Sequence, residues 1–310
     1  MTQTILGAGG AIGVELAKAL PAFTSDLRLV GRNPKKVNET DQLFPADLTD
    51  KDQVEAAVAG SDICYLTVGL AYNTRLWQEL WPQLIRHAAE ACMRHRAKLV
   101  FFDNVYAIGG DRVTHITEAS PISPTSQKGQ VRAECDRYLQ SLVDGGQLEA
   151  IIARSPDFFG PITATSVMMI LVYDNLVKGK KAQWFCNADV VHSMGYTPEL
   201  ARGTALLGNT PDAYNQIWNL PVDSAAPTGR DWVQLFAGAL HTEAQVQVFP
   251  AWAIKALGLF MPILKETSEM LYQYDRDYYF DASKFTARFN DTPITNAEAV
   301  RQTIEQLKKA

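Results

Sequence analysis

The sequence is poor in the features that mark several function classes. Its four cysteines, Cys64, Cys92, Cys135 and Cys186, lie far apart and form no Cys-x-x-Cys pair. That argues against a zinc site or a disulfide framework and fits a reducing compartment. No run of lysine or arginine occurs, and 29 basic residues against 34 acidic ones give a formal net charge of −5, so no nucleic-acid partner is expected. The most apolar stretch, Val248 to Leu264, is interrupted by Pro250, Lys255 and Pro262 and is too short to span a bilayer comfortably. It reads as a helix covering an apolar pocket, with a membrane-touching helix as the other reading, and no membrane partner is expected. Met1 to Leu6 lacks a basic leader pattern, so a cytoplasmic protein is expected.

What is present is a core-forming composition. Hydrophobic residues make up 47% of the 310 and charged residues 20%, which excludes a disordered or fibrous chain. The first half alternates short apolar strands (Thr2 to Leu6, Leu27 to Val30, Ser61 to Val68, Leu99 to Phe102, Glu149 to Ala153) with helical spacings (Val14 to Leu20, Leu76 to Arg94, Val131 to Leu142). Repeated strand–helix–strand units with non-alternating strands predict an α/β fold, a Rossmann-type doubly wound parallel sheet. The second half is less regular. Pro156 to Pro161 reads as a loop, and Ser166 to Val177, Glu199 to Leu207, Gly229 to Leu240 and Asn296 to Lys308 read as helices. With no linker visible, a smaller α/β substrate domain (about 161–185 plus 213–310) is expected to interleave with a nucleotide domain (1–160 plus about 186–212).

The strongest chemical signal is the glycine loop Gly7-Ala8-Gly9-Gly10-Ala11-Ile12-Gly13, which joins the first strand to the first helix. One glycine allows the tight turn, one lets backbone approach a pyrophosphate, and one lets helix and strand pack closely. The free N–H groups at the helix start then hold negative phosphates, so Gly7, Gly9, Gly10, Ala11, Ile12 and Gly13 are cofactor candidates. The second strand ends Val30-Gly31-Arg32-Asn33, with no carboxylate for ribose hydroxyls. Arg32, with Asn33, can pair with a 2′-phosphate, so NADP is favoured over NAD, with NAD left open. Asp47 could accept from an adenine amino group beside Leu48, while Thr49 or Asp50 caps the next helix. Small residues at Thr67-Val68-Gly69 would let a ribose and nicotinamide lie against the fourth strand.

These residues resemble the extended short-chain dehydrogenase/reductases, the NAD-dependent epimerase/dehydratase group. Arg154-Ser155-Pro156-Asp157-Phe158-Phe159-Gly160-Pro161, the stretch from His192 to Ala201, and Phe280-Asp281-Ala282-Ser283-Lys284 are similar to its later segments. The resemblance implies a substrate held between two domains. It also implies a hydroxyl residue after the fifth strand and a Tyr-x-x-x-Lys pair on the next long helix, the Tyr moving a proton and the Lys binding the nicotinamide ribose.

The chain departs from that pattern. Asn104 stands in the hydroxyl position, Lys128 in the Tyr position and Arg132 in the Lys position. In one reading Arg132 bonds the ribose, Asn104 orients a substrate carbonyl, and Lys128 donates a proton whose release the Arg132 cation and burial favour, with Tyr106 as a second acid candidate. In the other, the protein is a catalytically silent NADP-binding sensor or regulator. The enzyme expected is an NAD(P)-dependent oxidoreductase or epimerase/dehydratase acting on a small carbonyl, hydroxyl or nucleotide-sugar-like substrate. Asp157 and Phe158, at a strand's C-terminal end, and His192 are the substrate candidates. His87 and His95 lack carboxylate partners at ligand spacing, so no metal is expected. The aromatic set Trp252, Phe260, Tyr272, Tyr274, Tyr278, Tyr279 and Phe280 reads as core, with an apolar pocket lining as the minor reading. Trp77, Trp81 and Leu84 lie on a helix that resembles the family's dimer helix, which leaves a homodimer open.

Overall fold

The computed structural model describes residues 1–162 and 166–309. The chain opens with β1 (Gln3–Leu6), α1 (Ala11–Ala19), β2 (Leu27–Gly31), β3 (Gln42–Pro45), α2 (Lys51–Val58), β4 (Ile63–Leu66), α3 (Thr74–His95) and β5 (Lys98–Asn104). It continues through α4 (Gln127–Asp144), β6 (Ala150–Ser155), β7 (Asp157–Phe159), α5 (Asp174–Val177), β8 (Ala182–Phe185), β9 (Met194–Tyr196), α6 (Thr197–Gly208) and β10 (Gln216–Asn219). It ends with α7 (Gly229–Leu240), β11 (Val246–Phe249), α8 (Ala251–Leu257), α9 (Pro262–Thr267), α10 (Ser283–Phe289) and α11 (Asn296–Leu307).

Two compact units share the chain. The first comprises Met1–Ala107, Lys128–Ser155 and Leu200–Leu220, and the second Ile108–Gln127, Pro156–Glu199 and Pro221–Ala310. Residues 108–127, 156–160 and 186–199, expected in the nucleotide domain, therefore fold with the second unit, and 213–220, expected in the substrate domain, with the first; the second unit is about as large as the first rather than smaller.

The first unit is built on a seven-stranded sheet in the order β10-β6-β5-β4-β1-β2-β3, parallel throughout. All residues of β1, β4 and β6 are buried. A strand covered on both faces has no solvent side to impose alternation, which is why these runs do not alternate polar with apolar residues. Leu6 pairs with Val30 on one side and Leu66 on the other, so strand order reverses at β1. The ends of β1, β2 and β4 lie side by side there, the place where such sheets bind ligands. Helix α3 buries Trp77, Trp81, Leu84, Ile85 and Ala88 in this unit's core, each large side chain contributing ~1.5–3 kcal/mol. Trp77, Trp81 and Leu84 thus pack inside their own unit.

The second unit pairs β7 with β9 and β8 with β11, both parallel. Its core gathers Phe159, Trp184, Trp232, Phe236 and Tyr274. The expected loop at 156–161 contains β7, because Phe159 enters this core. The helix expected over 166–177 takes a wider π turn at Met169–Tyr173 before α5. The segment 248–264 is not one helix over a pocket. It completes β11 and then folds as α8 and α9, broken where Met261 is extended ahead of Pro262 (φ −119°, ψ 105°), since a residue before proline is driven out of the helical region. Tyr274, Tyr278 and Phe280 are buried as expected, but Trp252 and Phe260 are exposed.

Candidate functional site

In the first unit the glycine loop is shaped by two different demands. Gly7 has φ +98°, and a Cβ there would lie 2.9 Å from the Val68 backbone. A Cβ at Gly13 would lie 2.6 Å from the Gly7 carbonyl oxygen. The strand–loop–helix turn closes only with these two. Gly9 and Gly10 are different, for a Cβ at Gly9 would meet nothing within 4 Å and one at Gly10 would make only ordinary contact. Gly10 is the N-cap of α1, which has no side-chain cap and no acidic residue in its first turn. By contrast α2, α3, α7 and α11 are capped by Asp50, Asn73, Thr228 and Thr295. The donors at the start of α1 are left to another acceptor.

At the neighbouring strand ends, Arg32 and Asn33 are exposed just past β2. Asp47 follows β3, its Oδ1 accepting from Thr49 N (2.9 Å) and Thr49 Oγ1 (2.8 Å). These bonds, with the nearby Arg32 cation, hold its carboxyl below the ordinary carboxylate value. Of the two expected caps, Asp50 rather than Thr49 caps α2. Thr67 donates its N–H to the Leu6 carbonyl at 2.9 Å, so Thr67-Val68-Gly69 runs directly beside the glycine loop. Leu48 is half-buried against the core, and its carbonyl lies 3.3 Å from His87 Nδ1.

Beyond β5, Asn104 Oδ1 accepts the Tyr106 N–H at 2.9 Å. That bond fixes the carboxamide with its oxygen used and its NH₂ left to donate. The Tyr106 ring stacks on Trp77 at 6.0 Å and 15°. On α4, Lys128 and Arg132 are one turn apart, on one helix face, and both are buried. Lys128 Nζ donates to Thr74 Oγ1 at 2.8 Å and lies 4.5 Å from the centre of the Tyr72 ring. Arg132 is turned into the core. Its Nε donates to Asp103 Oδ1 at 2.6 Å, its Nη2 donates to the same oxygen, and its guanidinium lies 4.0 Å from the Trp81 ring centre and 4.7 Å from that of Phe101. The charge expected to aid Lys128 is therefore neutralised by Asp103, and the expected ribose donor is engaged elsewhere.

Asp103 belongs to a buried four-charge cluster. Arg154 Nη2 donates to Asp136 Oδ2 at 3.1 Å. Burial, and then the neighbouring Asp103 carboxylate, push the Asp136 carboxyl well above its ordinary value despite Arg154. A proton shared from Asp136 to Asp103 would satisfy Asp103 Oδ2 and Asp136 Oδ1, which otherwise have no hydrogen-bond partner among the described residues. Asp103 is not among the residues expected at the site, although an Asp directly after the apolar run Leu99-Val100-Phe101-Phe102, still within β5, signals a buried partner.

The model of the NAD dependent epimerase/dehydratase family matches residues 4–220. The chain belongs to this family. No curated protein matches it in sequence. Among solved structures it is similar to the UDP-glucose 4-epimerase of Thermus thermophilus in complex with NAD (17% identity, 100% of each chain covered, TM-score 0.79). It is also similar to the Streptomyces venezuelae dTDP-glucose 4,6-dehydratase with NAD bound (15%, 100% of this chain and 97% of that one, TM-score 0.80). A third match is the UDP-N-acetylglucosamine 4-epimerase of Methanobrevibacter ruminantium in complex with UDP-N-acetylmuramic acid (17%, 99% and 98%, TM-score 0.79).

The residues present fit a dinucleotide of the epimerase/dehydratase family. The uncapped start of α1 supplies donors, and Gly9 and Gly10 leave the space over them that a side chain would fill. In the second unit of this family member, His192 is held between the rings of Tyr274 (4.5 Å) and Tyr278 (4.7 Å). Its Nε2 meets Asp157 Oδ2 and its Nδ1 the Gln273 carbonyl, each at 3.1 Å. Tyr274 donates its hydroxyl to the same Asp157 oxygen at 2.9 Å. Asp157 and His192 are thus brought together, with His192 buried and Asp157 and Phe158 partly exposed. Among the described residues, no group of three or more His, Cys, Asp or Glu side chains is placed to hold a metal ion.

Proposed function

We propose that the chain is an NADP-preferring oxidoreductase acting on a small carbonyl or hydroxyl substrate of the nucleotide-sugar class. The observation that carries this is the open glycine cradle with Arg32 exposed where a ribose-binding carboxylate would stand. Gly7, Gly9, Gly10, Ala11, Ile12 and Gly13 would hold the pyrophosphate, and Arg32 with Asn33 the 2′-phosphate. Asp47 and Leu48 would meet the adenine, and Thr67, Val68 and Gly69 the nicotinamide side. A bound nicotinamide supplies or accepts a hydride at C4.

The chain's own part is orientation and proton movement. The free NH₂ of Asn104 donates to the substrate oxygen. Lys128 supplies the proton from Nζ, reached through the Thr74 hydroxyl it bonds. Arg132 anchors α4 to β5 and leaves the ribose to other donors. In the second unit Asp157 and Phe158 are assigned to the substrate, with His192 fixing the Asp157 carboxylate. The commitment of Arg132 to Asp103 also favours a second reading, a silent NADP-binding sensor. The two separate in one assay, in which NADPH is mixed with carbonyl compounds and nucleotide sugars and the reduced-cofactor absorbance followed. Turnover that falls about 10²–10⁴-fold in Lys128→Ala, the range of a lost general acid, with NADPH still bound, supports the enzyme. An equal loss in Tyr106→Phe with Lys128→Ala unaffected transfers the proton to Tyr106. NADPH binding without turnover selects the sensor.

A further inference from the structure

We infer that the hairpin of α8 and α9 is a membrane-surface anchor that seats on an anionic bilayer. The exposed large apolar side chains of the molecule are unevenly placed. Phe23, Leu43, Ile170 and Val177 are scattered, as on any soluble surface. Six others fall within twelve consecutive residues: Trp252 (74% exposed), Leu257, Leu259 (81%), Phe260 (84%), Met261 and Ile263. Leu259 and Phe260 stand at the apex, where Gly258 ends α8 and Pro262 begins α9. Ile254 anchors the base of the hairpin in the second unit's core. A concentrated patch of this kind marks an interaction surface.

The charges around it select the occupant. The 22 residues 244–265 contain no Asp or Glu, in a chain that has 34 of them. The hairpin carries Lys255 on α8 and Lys265 on α9, both exposed, against one acid, the part-buried Glu266 on α9, so it is net positive. Lysines flanking Trp, Phe and Leu match an interfacial element, in which the apolar apex enters the acyl boundary while the ammonium groups meet lipid phosphates. A protein–protein interface is instead depleted in lysine. The hairpin is far too short to cross a bilayer, and among the described residues no helix is long and apolar enough to do so. The protein would lie on the membrane rather than span it. The inference is independent of the proposed chemistry.

Vesicle flotation tests it with the full chain. Phosphatidylcholine vesicles with and without phosphatidylglycerol are compared, and wild type should float with the anionic vesicles. Leu259→Glu/Phe260→Glu should cut the floated fraction about tenfold or more, and Lys255→Glu/Lys265→Glu roughly tenfold. Both substitution pairs lie at exposed positions, and an unchanged thermal melt shows that the variants fold. Wild type that stays unfloated with both vesicle types overturns the proposal, as does an apex variant that floats like wild type. If wild type is a dimer that the apex variant dissociates, with no flotation, the face belongs between two copies of this chain and the bilayer is excluded.

Discussion

Arg132 donates two N–H groups to one oxygen of Asp103, inside the core of the first unit. The helix position that resembles a ribose-binding site thus holds a structural cation. Removing its partner strands a buried guanidinium, so Asp103→Ala should lose about 3–5 kcal/mol in urea unfolding. Arg132→Met should lower stability while NADPH affinity, read by calorimetry, changes less than about threefold. A ribose contact through a charged hydrogen bond would instead cost about 1.5–3 kcal/mol of binding.

The glycine loop separates folding from binding. Gly7→Ala forces a side chain onto φ +98° and against Val68, so it should destabilise by about 1–3 kcal/mol or more. Gly10→Ala meets only ordinary contacts and should keep the wild-type melting temperature. Its methyl group fills the cradle, so NADPH affinity should fall about tenfold or more, since a buried phosphate loses its backbone donors. Paired melting and binding measurements on the two variants check both halves.

Cofactor choice rests on Arg32. Arg32→Ala should weaken NADPH by about 1–3 kcal/mol, as charged hydrogen bonds go, and leave NADH nearly unchanged. Equal losses for the two cofactors in titration would remove the 2′-phosphate assignment.

The raised Asp136 carboxyl makes a pH prediction. Because it binds its proton more tightly folded than unfolded, its contribution to stability is full below the ordinary carboxylate value near 4. That contribution is lost as pH rises through the folded value. Asp136→Asn, which resembles the protonated carboxyl, should remove the part of the pH dependence of the melting temperature that this group adds as pH rises above about 4. Calorimetric scans of both proteins over that range are the measurement, and parallel curves would show that Asp136 does not carry the effect.

The parallel sheet was readable in the sequence because β1, β4 and β6 are covered on both faces and so show no polar–apolar alternation. The glycine loop was readable because its spacing is a backbone requirement. Other features depend on neighbours distant in the chain. A spacing of four puts Lys128 and Arg132 on one helix face, and both are buried, but only the Asp103 carboxylate on β5 shows which partner Arg132 takes. The apolar content of 248–264 does not by itself show where the strand ends and the helices begin. Pro262 decides its break, and what lies beneath α8 decides that Trp252 faces outward. His192 and Asp157 are 35 residues apart, a pairing that no local pattern encodes.

The sheet is completed late. β10 hydrogen-bonds to β6, yet it follows β6 only after β7, β8, β9 and α6, all but part of α6 belonging to the second unit. A nascent chain that stops short of Leu220 therefore leaves β6 as a bare strand edge, with its N–H and C=O groups unclaimed. Such an edge invites pairing with another polypeptide, so translational pausing or truncation between residues 155 and 220 should expose this chain to aggregation.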